Sequence, residues 1–359
     1  VLIGVFVLLL GACDWTTFGY DVAHSRASSD TGISTTTAKT LTAKWVENTG
    51  GIVLSSPSVA NGIVYVGSGT GQVDAFNATT GATTWTASTG FEVDSSPAIA
   101  NGVVYVGSLD DNVYAFNATT GATIWTAATG SNITSSPVVS NGIVYIGSND
   151  DKVYALNATN GKVVWTLTTG GGVQSSPAVA NGIVYVGSND DKVYAINATT
   201  GKVVWTHLTG DGIEASPAVV NGLLYIGSLD GDIYALNATT GAVEWTKSTG
   251  MPVYSSPAVA KGVVYIGSDN HTLYALNATS GSVIWSYATG DAVQSSPAVA
   301  NGVVYVGSGD HRLYGFNATT GSLLWSITSG DDVYSSPAVA NGMVFCGSDD
   351  GNIAGFAPS

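Results

Sequence analysis

The chain has 359 residues and a formal net charge of −15, with 10 Lys and Arg against 25 Asp and Glu. That balance excludes a nucleic-acid surface, which needs clustered cations, and disfavours direct binding to an anionic membrane. Charged residues make up 10%, far below the roughly 25% of an ordinary soluble domain, so solubility must rest on Ser, Thr, Asn and Gly.

The chain opens with the apolar run "VLIGVFVLLL" and stops it at Gly11-Ala12-Cys13. The run falls short of the ~20 residues of a spanning helix and fits the apolar core of a secretory signal. Leu10-Gly11-Ala12-Cys13 looks like the lipobox of prokaryotic lipoproteins. The expectation is a signal peptide with a truncated start over 1–12, a lipid anchor on Cys13 and an N-terminal segment over 13–39. The second cysteine, Cys346, replaces a Val or Ile of other repeats and reads as a small buried hydrophobe.

From residue 40 the chain repeats. Trp45, Trp85, Trp125, Trp165, Trp205, Trp245, Trp285 and Trp325 recur at a constant spacing, and a period near 40 with several short strands per unit is the signature of a β-propeller blade. One unit, 171–210, shows the pattern. "SSPAVA" (175–180) is a first strand, and Asn181-Gly182 supplies a two-residue type I′ hairpin turn. "IVYVGS" (183–188) and "KVYAIN" (192–197) are the second and third strands, β-branched and aromatic. After "ATTG", a fourth strand spans 202–208. Pro177 and its copies cannot donate to a ladder, so the first strand must be an edge, lining the central channel and left free there. The final unit, from Asp331, ends after its third strand, and residues 40–50 supply the missing fourth. The reading is all-β: an eight-bladed propeller over 40–359, with four antiparallel strands per blade. A composite blade of 331–359 and 40–50 closes the ring.

Ala195-Ile-Asn-Ala-Thr-Thr-Gly-Lys-Val-Val-Trp205 resembles the tryptophan-docking motif of the PQQ-like β-propeller repeat family. "SSPAVANGVVYVGS" is similar to its first two strands, and "DWTTFGYDVAHS" (14–25) to the segment that precedes its first blade. The resemblance implies that each Trp packs between neighbouring blades. It also implies two possible functions, since the family holds quinoprotein dehydrogenases and non-catalytic lipoprotein propellers of BamB type. The family usually has Asp where this chain has Asn77, Asn117, Asn157, Asn197, Asn237, Asn277 and Asn317. Each Asn therefore sits in an N-glycosylation sequon, although a corner residue bonding its own turn backbone explains it as well.

Function must lie where blades differ. The Asn-Gly and Asn-Ala-Thr-Thr-Gly turns are nearly constant and should share one face. The second-to-third strand turns and the inter-blade links vary, should share the other face, and carry most of the acidic residues. Turn chemistry accounts for many of these aspartates; the rest make an acidic mouth suited to cations or a basic protein. The residues before each Ser-Ser or Ala-Ser step should line a funnel. Asp94, Gln174, Glu214, Tyr254, Gln294 and Tyr334 are its candidate ligand or partner contacts. His207, His271 and His311 read as solvated turn residues with no metal-ligand spacing inside any one element, so no metal and no catalytic constellation is expected.

Three functions fit this pattern. The first is a lipid-anchored, extracytoplasmic, monomeric scaffold that binds a protein partner through the acidic face, with no cofactor. The second is a dehydrogenase using PQQ with Ca²⁺, which the family resemblance implies but which lacks the family's adjacent cysteines and pocket-building insertions. The third is a surface adhesion or matrix protein, suited by nearly identical blades.

Overall fold

The computed structural model describes residues 14–359; the expected signal peptide and Cys13 anchor lie outside the described residues. Eight sheets form the blades of a ring. In the fourth blade the strands are Ala178–Ala180, Ile183–Ser188, Lys192–Asn197 and Val203–Leu208, paired antiparallel in sequence order. The composite blade is as expected. Leu41–Asn48 from the N-terminal part pairs antiparallel with Asn352–Pro358 and completes the sheet begun at Ala338.

The apolar pattern explains the layering. Second and third strands are buried on both faces because each blade is sandwiched between two others. Tyr185, Val193 and Ala195 of the fourth blade pack on Leu224, Ile226, Tyr234 and Leu236 of the fifth. Fourth strands alternate and expose one face to solvent, as Val203–Leu208 does. The hairpin turn is as read: Asn181 and Gly182 have φ of 51° and 77°, the left-handed values of a type I′ turn.

The tryptophans lock neighbouring blades. Trp165 Nε1 donates to the Ala198 carbonyl at 2.9 Å, and Tyr145 Oη donates to the same oxygen at 3.1 Å. Gly201, closing that corner, lies so close beneath the indole that a Cβ would meet Trp165 Cδ2 at 2.8 Å. Asn197 Oδ1 accepts from the backbone N–H of Thr199 and Thr200 at 3.1 and 2.9 Å. The sequon asparagine is thus a working corner residue whether or not it carries sugar. At the ring closure Trp325 donates to the Leu41 carbonyl at 2.9 Å.

Two expectations about the inner strand need correction. It is shorter than read, because Ser175, Ser176 and Pro177 precede the ladder. Those serines instead build a girdle around the channel. The backbone N–H of Ser56 donates to Ser96 Oγ of the next blade at 2.9 Å. The same bond repeats blade by blade until Ser336 N–H returns to Ser56 Oγ.

The inner edge is also not free. The segment from Trp15 to Ser28 reaches the inner strand or its flank in all eight blades in order. Trp15 exchanges backbone bonds with Val59, and the carbonyls of Thr16, Val22, Ala23, Ser25 and Arg26 accept from Ile99, Val179, Val219, Val259 and Val299. Thr17 and Ser28 hydroxyls donate to the Pro137 and Val339 carbonyls. Ala27–Ser28 even adds a short parallel strand to the seventh blade. The segment uses donors that the proline-led edge leaves unpaired. Trp15, which no repeat accounts for, is buried in the core. Arg26 is fully buried. Its guanidinium donates to the carbonyls of Phe18 (2.7 Å), Pro297 (2.7 Å) and Ser296 (3.1 Å) and stacks 4.7 Å above the Phe18 ring. The segment is a plug.

Candidate functional site

Constant and variable turns do separate onto opposite faces. Ala198 N–H bonds to the Gly182 carbonyl, joining the two constant turns, while Asn189 N–H bonds to Gly172 O, joining a variable turn to an inter-blade link. At the variable face the funnel is a real cavity of about 180 Å³. Its walls are Leu54, Asp94, Thr134, Gln174, Glu214, Tyr254, Gln294 and Tyr334, one residue from each blade as the register requires, and its floor is the serine girdle with Phe18 of the plug.

Two sets of acidic residues on this face differ in their electrostatics. The first is structural. Asp190 Oδ2 accepts from Tyr194 Oη, from Lys192 Nζ at 3.0 Å and from the backbone N–H of Gly170 in the preceding link at 2.9 Å. Burial alone would push such a carboxyl up, but these bonds outweigh it and hold Asp190 below its ordinary range. Asp110, Asp150 and Asp350 behave alike, so turn chemistry explains this set. The second set lines the funnel, as Asp94 and Glu214 do, or stands beside its wall, as Asp269 and Asp349 do, and in it burial outweighs any compensating bond. Burial, then the charge of Glu92, pushes Asp94 up to about 6. Burial, then the charges of Asp332, Asp331, Asp350 and Asp94, does the same to Asp349. Burial also raises Glu214 and Asp269, the latter despite a 3.3 Å bond from Gln294 Nε2. These carboxyls are poised to gain from a cationic neighbour, which would favour their charged forms.

The histidines do not share one fate. His207 lies within a fourth strand rather than a turn, half-buried and edge-on to Tyr234 with ring centroids 5.8 Å apart. His271 stands in a turn 3.9 Å from Asp291. His311 is not an isolated turn residue: its Nδ1 lies 3.5 Å from Asp331 Oδ1 and 3.3 Å from Asp332 Oδ1. The turn and the link that carry them are remote in sequence, so a search for ligand spacing within one element passes over them. Cys346 is buried, and burial pushes its thiol up to about 12, as fits an inert core residue.

The family model described as outer membrane protein assembly factor BamB matches residues 22–132, 109–217, 208–294 and 288–358. The chain belongs to this family. No curated protein matches it. Among solved structures the chain is similar to the quinohemoprotein alcohol dehydrogenase of Comamonas testosteroni, at 18% identity and a TM-score of 0.83, over 96% of this chain and 80% of that one. A europium-containing methanol dehydrogenase gives 15% and 0.82, over 96% and 98%. BamB from Moraxella catarrhalis gives 19% and 0.74, over 88% and 99%. At these identities the structural likeness shows the shared propeller fold and no more.

Proposed function

We propose that this BamB-family propeller is a non-catalytic extracytoplasmic scaffold, tethered through a lipid on Cys13, whose acidic funnel face docks a basic surface of a partner protein. The observation that carries the proposal is the second set of carboxyls. Asp94 and Glu214 in the funnel wall, with Asp269 and Asp349 beside it, are held with their charged forms disfavoured, and a desolvated basic side chain would reverse that cost. A plug behind the funnel and a rigid serine girdle around it give a preformed surface, which reduces the ordering cost of association. The glycan sequons lie on the opposite face and would leave this one clear.

The family's fold also raises the question of PQQ with Ca²⁺. The funnel is a poor match. Its volume is below the roughly 300–1,000 Å³ of pockets that bury a ligand of that size. Its lining contains no tryptophan to carry a quinone ring, and its floor is Phe18 with serines. We derive no redox step for it. The scaffold reading is tested by pull-down from solubilised envelopes, comparing the wild type with an Asp94→Asn, Glu214→Gln, Asp349→Asn variant. A basic protein retained by the first should be lost by the second; equal retention would refute the charge-based interface.

A further inference from the structure

We propose that His311, Asp331 and Asp332 form a Zn²⁺ site on the rim of the variable face, beside the partner interface and with none of its ligands drawn from Asp94, Glu214 or Asp349. The three side chains come from two segments that the blade geometry brings together: the second-to-third strand turn of the seventh blade and the link entering the composite blade. Their donor atoms lie no more than 4.8 Å from one another.

The spacing matches the coordination shell of zinc. Zinc bonds to imidazole nitrogen and carboxylate oxygen are about 2.0–2.2 Å, so neighbouring donors on a zinc tetrahedron stand about 3.3–3.5 Å apart. His311 Nδ1 is 3.5 Å from Asp331 Oδ1 and 3.3 Å from Asp332 Oδ1. Two edges of the tetrahedron are therefore already in place, and the fourth position opens to solvent. The donor set also favours a transition-metal ion such as zinc over the hard alkaline-earth cations. One imidazole and two carboxylates suit zinc, whereas Ca²⁺ takes six to eight oxygens and Mg²⁺ an octahedron of oxygens.

The ligands are held by their surroundings. Asp332 is pinned through its carbonyl, which accepts from Asp349 N–H at 2.9 Å, and its own N–H donates to Asp331 Oδ1 at 3.0 Å. Ser329 Oγ donates to the Asp331 carbonyl.

The triad also departs from an otherwise close repeat. The equivalent positions are His271, Asp291 and Ala292 one blade earlier, and Asp191, Asp211 and Gly212 in the fourth blade. No other blade carries His with two carboxylates at these places. Turn chemistry, which the repeat already satisfies with Asp or Gly, does not call for this combination. The incomplete set around His271 is an internal control.

The test is titration of chelator-treated protein with Zn²⁺, followed calorimetrically, and with Co²⁺, followed by its visible spectrum. The wild type should bind one equivalent of Zn²⁺, and Co²⁺ should show the intense d–d bands of a tetrahedral site. His311→Ala and Asp331→Asn should each weaken Zn²⁺ binding more than tenfold and abolish the Co²⁺ bands, while His271→Ala should change neither. These positions are exposed, and an unchanged thermal midpoint in each variant would confirm folding. Binding that survives His311→Ala, or a wild type that binds no better than that variant, would overturn the proposal. Either result would leave the scaffold reading standing, because that interface is tested at Asp94, Glu214 and Asp349, none of which is a proposed zinc ligand.

Discussion

Two glycines in one blade show how a single residue type can be constrained for different reasons. Gly182 and Gly201 both have positive φ, 77° and 68°. A Cβ at Gly182 would meet nothing within 4 Å, whereas one at Gly201 would press on the Trp165 indole. Gly182→Ala should therefore cost only the backbone term, about 1–2 kcal/mol. Gly201→Ala should cost that and a further ~1–3 kcal/mol of overpacking. Denaturant midpoints would check the difference; equal costs would mean that the indole does not rest on the glycine. Asp94 carries the pH prediction at this scale. Its carboxyl is raised from an ordinary 3.8 to about 6 by burial and then by Glu92. The folded state thus holds the proton more tightly, and stability falls as pH rises from about 4 through 6. Asp94→Asn should raise the thermal midpoint at pH 7.5, by up to about 3 kcal/mol of stability, and give no advantage at pH 4. A variant no more stable than wild type at pH 7.5 would contradict the burial of this charge.

Among elements, the plug has the least precedent in the repeat. Arg26 anchors it through three carbonyls on two segments. Arg26→Ala leaves those oxygens buried without partners, at roughly 3 kcal/mol in all. Limited proteolysis should then cut within 14–30 under conditions where the wild type is resistant. Equal resistance would show that the plug is held by its backbone bonds alone. The path of this segment was not legible in the sequence. It has no internal period, and it turns on Tyr20, His24 and Arg26, which adopt left-handed φ without being glycine. The blades were legible because hydrophobic alternation, Asn-Gly turns and the tryptophan all report the same register. Even there, the constancy of Ser-Ser was visible but its cause was not, since the girdle bonds join residues a whole blade apart. The funnel residues could be named in advance because strand register fixes one per blade. The His311 triad could not, because its members meet only when one blade packs on the next.

For the molecule as a whole, near-identical blades give a ring with two unlike faces. One carries the uniform Asn corners that seat the tryptophans. The other carries a mixed population of carboxylates: those tied into turns, and those left exposed to one another around the funnel. Closure makes the platform rigid: Leu41–Asn48 completes the last sheet, the serine girdle runs unbroken inside it, and the plug reaches every blade. On the proposed scaffold reading, partner recognition belongs to the funnel face. Photo-crosslinkers placed at Gln294, in the funnel, and at Thr200, on the corner face, test it most directly when the protein is expressed in its own envelope. Gln294 should give a specific adduct that is lost when Asp94, Glu214 and Asp349 are neutralised, and Thr200 should give none. A specific adduct from Thr200 alone would contradict it.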